Sequence, residues 1–190
     1  VNPLYTLGEW LDEAQAAGAP EPEAMALATA GADGHPSVRF VLCRGIDDRG
    51  IRFFTSYDSR KGRELAGRPH VAAVFHWAAT RHQARVEGIA ERLSPAESDA
   101  YFRSRARGSQ LAASVSPQSA PIDDLGDLRD RMGRLDDSLR GGEVPRPANW
   151  GGYLIRADRV ELWTSGKDRL HDRIAYERQG EVWVTRRLGP

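Results

Sequence analysis

Three apolar segments crowd into residues 24–57: AMALATA (24–30), SVRFVLCRGI (37–46) and IRFFTSY (51–57). Between them stand only GADGHP and DDRG, whose Asp-Gly and glycine punctuation belongs to hairpins. A parallel crossover needs a dozen or more residues, so linkers this short commit neighbouring strands to antiparallel pairing. HVAAVFHWAAT (70–80) and RHQARVEGIAERL (81–93) extend the pattern. YLIRADRVELWT (153–164), RIAYER (173–178) and EVWVTRRL (181–188) supply the last strands, the final two joined across QG. The expectation is a mainly β fold with helices: six to eight antiparallel strands, three or four helices, and a small barrel rather than a βαβ sheet.

The helices announce themselves by their ends. TLGEWLDEAQAAG offers a capping box between Thr6 and Glu9, an apolar stripe of Leu7, Trp10, Leu11 and Ala14, and a stop at Gly18. SRKGRELAGR (59–68) reads as a short helix, and SPAESDAYFRSRA starts another with Ser94 as cap, Pro95 and Glu97. DDLGDLRDRMGRLDDSLR (123–140) spaces its leucines and Met132 for a surface helix. GGEVPRPANWGG (141–152) is a turn-rich loop.

At 190 residues the chain suits one domain, 1–190, with a helix inside 1–20 and C-terminal strands over 143–190. Lys plus Arg and Asp plus Glu both number 27, so no global basic field points to nucleic acid. One cysteine, Cys43, excludes an internal disulfide and fits a reducing cytoplasm. No apolar run approaches the roughly 20 residues of a membrane helix, so no membrane partner is expected. The five histidines lack metal-ligand spacing, and HExxH, GxSxG, Walker and GxGxxG patterns are missing.

Function must therefore come from local charge. Arg39 and Arg44 sit on opposite faces of a strand otherwise made of core residues; they are either salt-bridged or facing a ligand. Arg60 and Lys61 follow Ser59 at a helix start, where cations need an anionic partner such as phosphate. Tyr101 and Arg105 are i,i+4 neighbours, and Ser109 follows on the same side if the helix continues past Gly108. That makes a second anion clamp or a solvated basic helix end. In SGKDRLHDR (165–173), Arg169, His171 and Arg173 alternate, so an extended segment would aim all three at one face. Spacing alone suggests a phosphorylated cofactor beside a phosphorylated substrate and names neither.

Taken together, RFVLCR, FFTSYDSRKGREL, RHQARVEG, ERLSPAESDAYFRSRARGSQ, SPQS, GEVPRPANWGGY, VELWTSGKDRLHDR and RRLGP resemble the pyridoxine/pyridoxamine 5′-phosphate oxidase family. The resemblance implies an FMN-binding split β-barrel and a homodimer with FMN at the subunit interface. It implies that the run Arg39, Phe40, Val41, Leu42, Cys43 and Arg44 lies along the cofactor. Arg39, Arg60 and Lys61 would serve mainly its phosphate, with Phe54, Thr55, Gln83, Gln118, Ser119, Trp163 and Arg173 as further contacts. Arg44, Tyr101, Arg105 and Ser109 would clamp a small phosphorylated pyridine substrate. Arg169 and His171 would be catalytic beside its ring, with Leu170 also at the substrate. The implied reaction is hydride transfer from the substrate C4′ carbon to flavin N5, then reoxidation by O2 with release of H2O2. Departures are Arg44 for a usual lysine, Phe54 for tyrosine, Ser114 for tryptophan, and WTSG without a glutamine. Two alternatives stand beside this reading: an FMN oxidase of another reduced aromatic such as a phenazine precursor, and a non-catalytic flavin- or pyridoxal-phosphate-binding protein.

Overall fold

The computed structural model describes residues 1–190. Its organising element is β7 (Trp150–Thr164), 15 residues long. The other strands are β1 (Ala24–Ala30), β2 (Pro36–Leu42), β3 (Ile46–Asp47), β4 (Gly50–Ser56), β5 (His70–Trp77), β6 (His82–Arg92), β8 (Asp172–Gln179) and β9 (Val182–Arg187). They run β2-β1-β5-β6-β7-β4-β3, with β8 and β9 added beside β7, and every pairing is antiparallel.

One edge of β7 is held by β6 from Tyr153 to Thr164. The other edge is shared: β4 takes Trp150 to Ile155, and β8 takes Arg159 to Thr164. The sheet therefore forks at the middle of β7. On the β4 branch the surface curls shut, because the Arg44 N–H donates to the Arg52 carbonyl at 2.7 Å and the Arg52 N–H to Gly45 at 2.8 Å. A β-bulge at Glu87/Gly88 bends β6 against β7. Glycine is required there, since a Cβ at Gly88 would lie 2.0 Å from the Arg156 carbonyl oxygen.

The expected antiparallel barrel is present, with nine strands and five α-helices rather than six to eight and three or four. The surplus has two sources. SVRFVLCRGI breaks after Leu42, leaving the two-residue β3 as a separate piece. The expected single helix around Tyr101 is two: α3 (Pro95–Ser104) and α4 (Arg107–Val115). The core follows the period-two pattern, with Met25, Leu27, Phe53, Phe75, Val86 and Ile155 sealed inside.

Helix α1 (Pro3–Ala16) buries Leu4, Leu7 and Ala14 against this core. It begins three residues before the expected capping box: Asn2 Oδ1 accepts from the Leu4 N–H at 3.1 Å, and Thr6 lies inside the first turns. Pro3 explains the earlier start, because its fixed φ and missing N–H suit a first helical position. The Ser94–Glu97 box forms as expected. Helix α2 (Arg60–Gly67) follows β4, and α5 (Leu125–Leu139) carries no fully buried residue. Phe102, Leu111, Val144 and Trp150 form a second apolar cluster under α3, α4 and α5. No helix is long and apolar enough to cross a membrane.

Candidate functional site

Between β2, β4 and the α3–α4 junction lies a cavity of about 490 Å³. Its floor is aromatic. Phe54 stacks on Tyr101 at 3.8 Å between ring centroids, and Trp150 lies 5.8 Å from Phe54 in a near-parallel plane. Three cations line the same space: Arg44, Lys61 and Arg105.

Lys61 is 9% exposed and has no carboxylate within ion-pairing reach. Its Nζ donates to Thr55 Oγ1 and Gln118 Oε1, each at 3.2 Å, and Thr55 donates on to Gln118 at 2.8 Å. Burial, helped by the charge of Arg39, pushes the Lys61 ammonium down to about 8. Its helix neighbours differ. Arg60 Nε donates to Glu64 Oε1 at 2.9 Å, one turn along α2. Arg39 is also held inside the chain, by the Leu27 carbonyl at 3.0 Å, Thr29, Ser37 and Glu64. The expectation that Arg60 and Lys61 both lack an internal anion thus holds for Lys61 alone. The helix start is also less open than expected: Ser59 Oγ accepts from the Gly62 N–H at 3.2 Å.

Arg105 reaches the cavity by a route the spacing did not foresee. α3 stops at Ser104, and Arg105 is extended with ψ of 150°, so Ser109 belongs to α4. The break, not a shared helix face, brings Tyr101, Arg105 and Ser109 around one space. The Arg105 guanidinium packs over Trp150 at 4.7 Å, and its buried Nη1 has no hydrogen-bond partner. Arg44 lines the same cavity, 3.3 Å from Glu23. Val41, Phe40 and Leu42 line the wall, while the Cys43 thiol points into the core, its ionisation pushed up to about 11 by burial. Ser119 follows Gln118 with φ of +71°.

The remaining candidates form a second cluster that does not line this cavity. Gln83, Trp163 and Arg173 are directly paired across β6, β7 and β8, one row on three strands. His171 packs on Trp163 at 4.6 Å, and its Nδ1 accepts from the Gly166 N–H at 3.2 Å. The neutral ring therefore carries its proton on Nε2. The expected extended run through Arg169, His171 and Arg173 is not there. Lys167–Arg169 is a 3-10 turn, with Asp168 and Arg169 at φ of +54° and +63°. Gly166 allows this fold-back, since a Cβ there would meet the Leu170 carbonyl at 1.7 Å. Arg169 and Leu170 are exposed, and Arg173 turns to a buried carboxylate, Glu161.

Residues 11–134 match the family model described as pyridoxamine 5′-phosphate oxidase. The chain belongs to this family. Residues 150–190 match a second model, the pyridoxine 5′-phosphate oxidase C-terminal dimerisation region. A curated pyridoxine/pyridoxamine 5′-phosphate oxidase of Rubrobacter xylanophilus is 48% identical, over 100% of this chain and 87% of its own length. The one of Gluconobacter oxydans is 45% identical over 100% and 94%. Among solved structures, PhzG from Burkholderia lata 383, in complex with tetrahydrophenazine-1-carboxylic acid, superposes with a TM-score of 0.94. It is 37% identical, with 100% of this chain and 93% of that chain covered. A pyridoxamine 5′-phosphate oxidase-related, FMN binding protein of Nostoc punctiforme shares the fold at a TM-score of 0.77 and 18% identity, over 96% of each chain.

The matched dimerisation region holds Trp163, Arg169, Leu170, His171 and Arg173, all of the second cluster except Gln83. The sequence reading passed over Trp150, although the aromatic in ANWGG was its one visible sign. It also passed over Glu23, Glu64 and Glu161, the carboxylates that hold Arg44, Arg39 and Arg173. Nothing in the spacing marks a carboxylate whose partner arrives from another strand.

Proposed function

We propose that this chain is an FMN-dependent oxidase that converts pyridoxine 5′-phosphate or pyridoxamine 5′-phosphate to pyridoxal 5′-phosphate. The observation that carries this is Lys61: a buried ammonium with neutral acceptors only, beside a cavity whose other cations include a half-buried, partly unsatisfied Arg105. Unpaired buried charge is costly, so a dianionic phosphate is the partner such a site lacks. Two phosphates need two clamps. Lys61, with Arg39 and Arg60 behind it and Thr55 and Gln118 beside it, would hold that of FMN. Arg44, Tyr101, Arg105 and Ser109 would hold that of the substrate. Bound FMN would supply the two-electron acceptor, returned to its oxidised form by O2 with H2O2 as product.

The protein's own contribution is orientation, exclusion of water and proton handling. Arg169 would hold the substrate ring, and His171 would position it and exchange a proton at Nε2, since Nδ1 is engaged by Gly166. The pyridoxine ring would lie near the aromatic floor of Phe54, Tyr101 and Trp150.

The assembly calls for a second copy of the chain, a reading supported by the match of residues 150–190 to a dimerisation region. Trp150 lines the cavity and Trp163 lies in the second cluster, 13 residues apart on one strand and so separated by about 43 Å of contour. Two half-sites that one chain keeps apart can meet across a two-fold axis. The outer face of β2 supplies an apolar surface for it: Val38 is 68% and Phe40 76% exposed. The likeness to PhzG favours a second reading, oxidation of a reduced aromatic without phosphate; the clamp around Arg105 weighs against it. Aerobic incubation of FMN-loaded protein with pyridoxine 5′-phosphate tests the proposal. Pyridoxal 5′-phosphate and H2O2 should appear in equal amounts. Bound FMN with no product from either phosphorylated vitamer would overturn it.

A further inference from the structure

Glu161 is 4% exposed, in the middle of a sheet, where a carboxylate is expensive unless it is fully paired. Its partner across β6 is Arg85 and across β8 is Ala175. The next row along the same face is Gln83, Trp163 and Arg173. Glu161 thus lies one row inside the three side chains assigned above to the flavin.

Its contacts are directional. Arg173 Nε donates to Glu161 Oε1 at 2.9 Å, and Nη2 lies 2.8 Å from the same oxygen. Arg85 Nη1 donates to Oε2 at 3.3 Å, and Arg85 Nη2 to Glu87 at 3.1 Å. The Arg173 Nη1 donates to the Gly189 carbonyl at 3.0 Å. The guanidinium plane is therefore fixed on two sides, and its charge faces a buried anion. Packing alone would be served as well by a residue without charge.

We propose that Glu161 is a positioning residue: it sets the direction of Arg173 toward the flavin and offsets that arginine's positive charge. Arg85 completes the pairing at the second carboxylate oxygen, so Glu161 is held between two guanidiniums. The inference rests on the flavin reading of Gln83, Trp163 and Arg173.

The test is FMN binding and the midpoint potential of the bound flavin in Glu161→Gln, measured on the purified full chain. The FMN dissociation constant should rise about tenfold, and the potential should move positive as the Arg173 charge loses its counterion. Glu161→Asp, which keeps the carboxylate but shortens its reach, should give a smaller rise. Arg173→Lys combined with Glu161→Gln should bind FMN no more weakly than Arg173→Lys alone, because one residue acts through the other. Native affinity and native potential in Glu161→Gln, or losses that add, would overturn the proposal. Should Glu161→Gln fail to fold, Glu161→Asp carries the test, and an unchanged FMN affinity there would overturn it. A native chain that takes up no FMN sinks the flavin reading itself, a distinct result.

Discussion

Lys61 donates from Nζ to Gln118 Oε1 across 3.2 Å, tying the first turn of α2 to the segment after α4. Since neither Gln118 nor Thr55 carries charge, burial prevails and the ammonium loses its proton near pH 8. The unfolded chain holds that proton to a higher pH, so the folded state binds fewer protons between about 8 and the ordinary lysine range. Stability of the ligand-free protein should therefore rise with pH across that window. Phosphate affinity should move the other way: FMN should bind about tenfold more weakly at pH 9 than at pH 7, by loss of the charged lysine. Fluorescence titration at both pH values checks this. Lys61→Met should bind FMN weakly and with no such pH dependence; a retained slope would assign it to another group.

Arg105 and Lys61 face one cavity from different elements and, in the proposed assembly, would hold different phosphates. Arg105→Ala should lower kcat/KM for pyridoxine 5′-phosphate about 10- to 100-fold, the loss of charge-assisted hydrogen bonds. FMN affinity should stay within about threefold of native. Steady-state kinetics and flavin titration on one preparation check both. Equal loss of both would show that the two clamps are one.

Glu64 gathers Arg39, Arg60, Thr29 and Ser37 where the end of β1 and the start of β2 meet α2. Burial alone would raise its carboxyl, but the hydrogen bonds from Thr29, Ser37 and Arg60, with the charge of Arg39, outweigh it and hold the group at about 2. A depressed carboxyl contributes stability above its unfolded value, and that contribution is lost as pH falls from the ordinary carboxylate range through about 2. Glu64→Gln should cost about 1–3 kcal/mol at neutral pH and flatten acid unfolding between pH 4.5 and 2. Urea unfolding at stepped pH values reads both effects.

The barrel was legible because hairpin spacing and period-two burial are local properties: residues 24–57 dictate β1, β2 and β4 almost by themselves. The Ser94 cap and the Gly18 stop were legible for the same reason. What stayed hidden depends on neighbours distant in sequence. The break at Arg105 interrupts a stretch that reads as one helix, and the fold-back at Asp168 depends on Gly166 meeting Leu170. Asn2 displaced Thr6 as a cap because two good caps lie about one turn apart, and Pro3 favours the earlier. The candidate charged residues were visible in sequence, but the glutamates that pair with them were not.

In the proposed dimer, Lys61 of one copy and His171 of another would serve the same site. Lys61→Ala and His171→Ala homodimers should each turn over pyridoxine 5′-phosphate poorly. After subunits are exchanged and reassembled, half the dimers are mixed, and each mixed dimer holds one intact site and one doubly altered one. The exchanged mixture should recover to about one quarter of native activity. No recovery, with mixed dimers demonstrated by native mass spectrometry, would contradict a site shared between two chains.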